Sequence, residues 1–345
     1  MKIKIIYLSI IFTIFCIPPK KYDPKLFNHL VIDAGSSGTR FCLYSVKKNH
    51  QCLIQHLNDP CYSVPANNGL SYLTEQEIYD VLNQGFEILR KKTQQIDFIS
   101  LLGTGGFRKL SQQEQQQKFH ILNRYFNQGS FNAYQIKFIS GEEEAYYAWK
   151  SIAILYQSNE HITLETGGAT IQFAVGNKEF FDYISLPIGL NQSYETLISY
   201  KEFEPCKQGN RLSQEKYDYC KNFVQTHLYQ NKELNKFLEL YKEYSNKYKT
   251  YTLGRPWNSI FNLVNKNPIN IEDLKTSGIF YCNLSEQELI QKIPSNFAKR
   301  ICYLFFYHQA QMEALKIQKI YRGTDSWTIG ASIDEKTFPY CNSFN

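Results

Sequence analysis

Short apolar runs alternate with clusters of small and polar residues through the first half of the chain. Residues 30–32 and 40–46 read as strands, the second alternating at Phe41, Leu43 and Val46. Thr74, then Glu77, Ile78, Val81, Leu82, Phe86 and Leu89, has helical spacing behind a capping threonine. Residues 98–102 predict a buried strand that delivers Gly103-Thr104-Gly105-Gly106-Phe107-Arg108. Ser111 caps a helix predicted to reach Phe126. Residues 136–139 form a further short strand ahead of Ser140-Gly141-Glu142-Glu143-Glu144-Ala145, and Tyr147, Trp149 and Ile152 continue from there as a helix. Two more strands, 162–164 and 171–175, flank another polar turn. The stretch from about 180 to 315 is helix-rich and holds most of the cysteines. Residues 112–117, rich in Gln, and 229–251, rich in Lys, Tyr and Asn, read as solvated helices or loops without a function. Strand, loop and helix thus alternate, which predicts an α/β protein whose polar residues gather at strand ends, where open α/β sheets bind ligands.

The 345 residues suffice for two domains. The net charge of +6 is mild and scattered, which argues against nucleic acid as a partner. Lys2 and Lys4 precede an apolar run over 5–17 and then Pro18-Pro19-Lys20-Lys21. Thirteen apolar-dominated residues fall short of the roughly 20 needed to span a bilayer. They suit a secretory signal over residues 1–17, with an uncleaved anchor as the competing reading. No other segment is long and apolar enough to span a membrane. Apart from Cys16, eight cysteines remain: Cys42, Cys52, Cys61, Cys206, Cys220, Cys282, Cys302 and Cys341. An even number without metal-type spacing reads as disulfides in an oxidising compartment, which places the protein on the secretory route, secreted or luminal. Nearest-neighbour pairing gives Cys52–Cys61, Cys206–Cys220 and Cys282–Cys302, one connectivity among many that the sequence allows. Asn191-Gln192-Ser193 and Asn283-Leu284-Ser285 are glycosylation sequons, relevant to an exported chain.

Two glycine-rich turns carry the clearest chemistry. Asp33-Ala34-Gly35-Ser36-Ser37-Gly38-Thr39-Arg40 and Glu165-Thr166-Gly167-Gly168-Ala169-Thr170-Ile171-Gln172 each follow an apolar strand and open with an acid. Glycines let amide N–H groups converge on one concavity, and Ser or Thr hydroxyls add donors for phosphate oxygens. Two such turns in one chain suggest a nucleotide held between two domains. Taken singly, the Glu142–Glu144 triplet is an ordinary acidic helix start favoured by the macrodipole, and Arg108 an ordinary ion-pair residue.

In order, residues 33–40, 103–108, 139–145 and 164–172 resemble the first four conserved regions of the apyrases, the nucleoside triphosphate diphosphohydrolases. Gly323-Thr324-Asp325-Ser326-Trp327-Thr328-Ile329-Gly330-Ala331 is similar to the fifth. Further similarity lies at residues 187–192 and 205–206 and at the Cys282…Cys302-Tyr303 arrangement ahead of the last motif. The resemblance, spanning about 30 to 332, implies the sugar kinase/actin-like fold: two RNase H-like α/β domains with the active site in the cleft between them. Laid on this chain it gives a first domain of residues 26–141 plus 315–345 and a second of 142–314. It implies hydrolysis of nucleoside tri- and diphosphates with Mg²⁺ or Ca²⁺. Gly35, Ser36, Ser37, Gly38, Thr39 and Arg40, with Gly167, Gly168 and Ala169, would cradle the phosphates. Asp33 and Glu165 would hold the cation, beside Thr104 and Arg108. Glu144 matches the family's catalytic base, with Glu143 as the alternative register, and Thr170 and Gln172 would orient the attacking water. Stacking on the base falls to Trp327, with Tyr251, Trp257 and Phe261 as other candidates and Arg255 closing over it.

Three positions depart from the family's usual pattern. Glu165 stands where Asp is usual, which moves a carboxylate outward by about 1.5 Å. Thr170-Ile171 replaces Ser-Thr, and Phe107 stands where Met is more frequent. An exopolyphosphatase-like enzyme and a catalytically weak nucleotide-binding protein are the competing functions.

Overall fold

The computed structural model describes residues 26–333, apart from 48–53, 56–60, 65–67, 92–94, 130, 132, 178, 208–211, 231 and 293–297. Residues 1–17, read as a signal, and Cys52 and Cys341 lie outside the described residues.

The strands are β1 (Leu26–Ala34), β2 (Thr39–Lys47), β3 (Ile54–Gln55), β4 (Cys61–Val64), β5 (Phe98–Gly103), β6 (Tyr134–Phe138), β7 (His161–Thr166), β8 (Ile171–Gly176), β9 (Phe181–Leu186), β10 (Lys249–Leu253), β11 (Ile269–Asn270) and β12 (Lys319–Thr324). The helices are α1 (Glu75–Arg90), α2 (Gly105–Arg108), α3 (Gln112–Gln128), α4 (Gly141–Tyr156), α5 (Leu190–Leu197), α6 (Gln214–Tyr229), α7 (Lys232–Tyr241), α8 (Arg255–Val264), α9 (Ile271–Cys282), α10 (Glu286–Ile290), α11 (Ile301–Ala314) and α12 (Thr328–Ser332).

They build two sheets of the same design. The first runs β3-β2-β1-β5-β6, with β4 also on β2; the second runs β11-β12-β10-β7-β8-β9. In each, an antiparallel hairpin (β1/β2, then β7/β8) is extended by parallel strands, β5 and β6 in one and β10 and β12 in the other. The chain is therefore a doubled α/β unit, as expected for the sugar kinase/actin-like class. Helix starts follow the sequence signals: Thr74, Ser111 and Ser140 each cap a helix reciprocally with the glutamate three residues on.

Three expectations change. Residues 319–324, assigned to the first domain, form β12 of the second sheet, because that sheet takes its last parallel strand from the far end of the chain. The described residues beyond β12 return to the first sheet: Thr328 Oγ1 meets the Tyr44 hydroxyl at 2.6 Å, and the Ser332 carbonyl lies 2.9 Å from His29 Nδ1. The segment read as solvated over 229–251 instead contributes Leu234, Phe237, Leu238 and Tyr241 to the core and then the buried strand β10. Finally, Cys61 pairs with Cys42, not Cys52. The antiparallel register of β2 on β4 sets Cys42 opposite Cys61, which no linear spacing reveals. Cys206–Cys220 and Cys282–Cys302 pair as expected. In the second half, α11 is buried over twelve of its fourteen residues, His308, Gln309 and Gln311 among them, and the neighbouring helices pack around it.

Candidate active site

Both glycine-rich turns are the same device. In the first, Gly35 N–H donates to the Gly38 carbonyl (3.0 Å); in the second, Gly167 N–H donates to the Thr170 carbonyl (3.0 Å). Each joins the central antiparallel pair of its sheet, so strand register dictates which side chains flank it. Asp33 lies opposite Arg40, and Glu165 opposite Gln172. Arg40 accordingly ion-pairs with Asp33 and also donates to the Asp325 carbonyl (3.2 Å).

The turns face one another. A methyl carbon built on Gly168 would sit 2.9 Å from Ser37 Oγ, and one on Gly105 would sit 3.2 Å from Ala169 Cβ. The second turn is braced from behind by the start of α5. Gly189, Leu190 and Asn191 donate N–H bonds to the carbonyls of Ala169, Gly167 and Gly168, at 3.0, 3.0 and 2.9 Å. A trans peptide points its N–H opposite its C=O, so the N–H groups of Gly168 and Ala169 turn away from α5. That orientation suits an anion.

The start of α4 resolves the glutamate triplet. Glu143 closes the capping box, its carboxylate accepting the Ser140 N–H (3.1 Å) and pairing with Lys137. Glu142 accepts from the exposed Tyr183 hydroxyl at 3.3 Å. Glu144 alone turns inward, 4 % exposed. Its Oε2 accepts from Arg108 Nη2 (2.8 Å) and Gln172 Nε2 (3.1 Å). Arg108 also reaches Thr170 Oγ1 (3.2 Å) and the Ile139 carbonyl (3.1 Å). One cluster thus gathers Arg108, Glu144, Thr170 and Gln172 from four elements or their joining turns. Thr104, buried at the head of α2, donates its N–H to Ala34 of the first turn (3.2 Å).

Charge in this cleft is unbalanced. Burial pushes the Glu144 carboxyl up, opposed by Arg108. Burial pushes Glu165 well above the usual carboxylate range, and the nearby charge of Glu144 adds to it. Burial works against the Arg40 guanidinium too, but Asp33 and Glu165 more than offset it and keep the group protonated. Three buried carboxylates, Asp33, Glu144 and Glu165, therefore share two guanidiniums, and Glu165 Oε2 is buried without a hydrogen-bond partner. An anionic substrate needs a further cation here. The orphan oxygen of Glu165 and the nearby Asp33 fit a hard divalent ion, which binds through one or two carboxylates and completes its shell with water and phosphate oxygens. Among the described residues no group of three His, Cys, Asp or Glu side chains is placed to hold a metal ion.

The aromatic expectations fare differently. Trp327 is 1 % exposed and stacks on Tyr147 of α4 at 6.1 Å, packed in a core shared by β1, β2, α4 and β10, so it presents no face to a base. Trp257 lies buried on His308 (3.9 Å), Phe261 is buried, and Tyr251 packs between Tyr156 and Tyr321. Arg255 is spoken for as well, donating to Ser63 Oγ of the first sheet. Both sequon asparagines are engaged: Asn283 donates to the Leu212 and Ile279 carbonyls (3.0 and 2.9 Å), and Asn191 lies beside the second turn. Sequence reasoning missed Lys109, which donates to Gln192 at the start of α5, and Ser185, whose hydroxyl lies 3.2 Å from Gln172 Nε2. Lys109 follows the Arg108 motif directly, and that adjacency was the available signal.

The family described as GDA1/CD39 (nucleoside phosphatase) matches residues 27–181, the stretch that carries the first four motifs. No curated protein matches the chain. Among solved structures, a Ppx/GppA phosphatase from Aquifex aeolicus superposes with a TM-score of 0.60 at 14% identity, over 88% of this chain and 98% of that one. An exopolyphosphatase from Cytophaga hutchinsonii gives 0.57 at 13%, over 88% and 96%. Nucleoside triphosphate hydrolases from Neospora caninum give 0.53 at 15%, over 89% and 92%. At these identities the structural likeness is one of fold, and it agrees with the doubled α/β architecture.

Proposed function

We propose, from a chain whose residues 27–181 match the GDA1/CD39 nucleoside phosphatases, that this protein hydrolyses nucleoside tri- or diphosphates to release inorganic phosphate with a divalent cation. The observation that carries the reading is the inward-facing Glu144, buried between two phosphate-type turns and held by Arg108 and Gln172. Phosphoryl transfer asks little covalent chemistry of a protein; it asks for positioning and for neutralised charge. The amides of the two turns, with the hydroxyls of Ser36, Ser37 and Thr39, grip the phosphate oxygens. Glu144 takes the proton of a water set in line with the terminal phosphorus, and Thr170 and Gln172 hold that water. Arg108 keeps Glu144 in place and offsets its charge beside the attacking water. Asp33 and Glu165 would hold Mg²⁺ or Ca²⁺, which when bound neutralises phosphate charge.

Three disulfides among the described residues support an exported protein, since such bridges persist in oxidising compartments. We divide the chain into a first body of residues 26–140 with 325–333 and a second of 141–324, which takes in α4 because that helix packs against β7, β8 and β9. A second reading, cleavage of inorganic polyphosphate, gains from the burial of Trp327 and Trp257, which leaves the cleft without its expected base-stacking rings. Phosphate release from ATP, ADP and long-chain polyphosphate, with and without EDTA, separates the two. Release from polyphosphate alone would overturn the nucleotide reading.

A further inference from the structure

The first turn of α5 brings one more polar side chain to the junction of the two phosphate turns. Arg300 Nη1 donates to Asn191 Oδ1 (3.1 Å), and the guanidinium lies 5.3 Å from the centre of the Tyr194 ring. A guanidinium has no acceptor, so this bond fixes which way the Asn191 amide is turned: oxygen to Arg300, nitrogen to the cleft. Gly168 measures where that nitrogen points. A methyl carbon there would lie 3.1 Å from Asn191 Nδ2 and 2.9 Å from Ser37 Oγ, so an amide donor and a hydroxyl from opposite walls converge over the second turn. The Asn191 N–H meanwhile holds the Gly168 carbonyl at 2.9 Å, tying the side chain's position to that of the turn.

We propose that Asn191 is a further phosphate-binding residue, donating Nδ2–H to a substrate phosphate oxygen between Ser37 and Gly168, with Arg300 as the positioning residue that sets the amide. The proposal rests on the reading of this cleft as a phosphohydrolase site and adds a residue to it. It also gives the Asn191-Gln192-Ser193 sequon a consequence, because a glycan on Nδ2 would fill the position the phosphate takes.

The test compares Asn191→Ala and Asn191→Asp with the wild type in binding of Mg²⁺ with a non-hydrolysable ATP analogue, and of inorganic phosphate, by calorimetry. Loss of a hydrogen bond to a charged group predicts binding weaker by on the order of 10- to 100-fold in Asn191→Ala. Asn191→Asp keeps the shape and strengthens the pair with Arg300 but sets a carboxylate against the phosphate, so it binds more weakly still, with its melting temperature retained. A purely structural bridge to Arg300 predicts the reverse order, Asp equal to wild type; that result overturns the proposal. Arg300→Met should raise KM several-fold with kcat held, and an unchanged KM counts against its positioning role. Peptide mapping of the active protein should find Asn191 unglycosylated, and a glycan there in the active fraction would refute the assignment. Failure of the wild type to bind either probe would instead remove the phosphohydrolase reading itself.

Discussion

Replacing Glu144 by Gln isolates its chemistry from its architecture. The amide keeps a carbonyl oxygen where Oε2 now accepts from Arg108 (2.8 Å) and Gln172 (3.1 Å), and Arg108 retains Ile139 and Thr170 as further partners. Folding should therefore survive. Removing one of three carboxylates that share two guanidiniums also relieves repulsion with Glu165, so the melting temperature should hold or rise. The rate should not. Loss of a general base costs on the order of 10²–10⁴, which is about 3–5 kcal/mol of transition-state stabilisation at 1.36 kcal/mol per tenfold. The assay is phosphate release at saturating nucleotide, paired with a thermal melt. The pH profile adds a sign. Glu144 works deprotonated, and burial raises its carboxyl above the ordinary value. Wild-type kcat/KM should thus fall on acidification at a higher pH than an ordinary glutamate would give, and that limb should vanish in the variant. Activity within tenfold of wild type would refute the base assignment, and loss of activity together with the fold would show a structural role instead.

Gly189→Ala tests the bracing of the second turn, because its Cβ would lie 2.4 Å from Thr170 N and 2.5 Å from Ala169 C, backbone atoms that cannot swing aside. At least a tenfold loss of kcat/KM should accompany a lower melting temperature, and unchanged kinetics would contradict the brace. Removing the Cys42–Cys61 bridge by a double Ser substitution opens a loop closed over 19 residues; the expected loss is about 3 kcal/mol in urea unfolding, and an unchanged midpoint would show that the bridge does not form. His308, fully buried against Trp257, is held down to about 3 by burial. The unfolded chain protonates it from about pH 6.5 downward, so the native state loses stability as pH falls from there toward 3, by up to about 1.4 kcal/mol per pH unit. His308→Leu should flatten the stability-versus-pH slope between pH 6.5 and 4.5, and identical slopes would mean that His308 titrates freely in the folded protein.

Much of this site was legible because its parts are local. A strand, an acid and a glycine-rich turn are contiguous, and the antiparallel return strand is short enough that Asp33 and Arg40, or Glu165 and Gln172, fall opposite by register. Even the glutamate register was readable in principle. The Ser140-x-x-Glu143 capping box assigns Glu143 to the helix end and leaves Glu144 for the cleft. What escaped depends on contacts distant in sequence. The partner of Cys61 comes from the pairing of β2 with β4, and the place of β12 from completing a sheet begun 150 or so residues earlier. Trp327 lies in a segment that resembles a conserved region, yet its ring faces Tyr147, and such a resemblance carries no side-chain direction. The strand β10 hid in a Lys- and Tyr-rich stretch because only Tyr251, Leu253 and two threonines mark its pattern. Asn191 read as a sequon because its amide acquires meaning only beside Arg300, 109 residues away.

The central claim is that two phosphate turns and a buried glutamate hydrolyse nucleotide phosphoanhydrides with a divalent cation. The most direct measurement is inorganic phosphate release by the purified wild-type chain from ATP, ADP, GDP, UDP and CDP, each with Mg²⁺, with Ca²⁺ and with EDTA. Release from at least one nucleotide, abolished by EDTA and restored by either cation, is the expected result. Release from none of them under any condition, or release that EDTA leaves untouched, would contradict it.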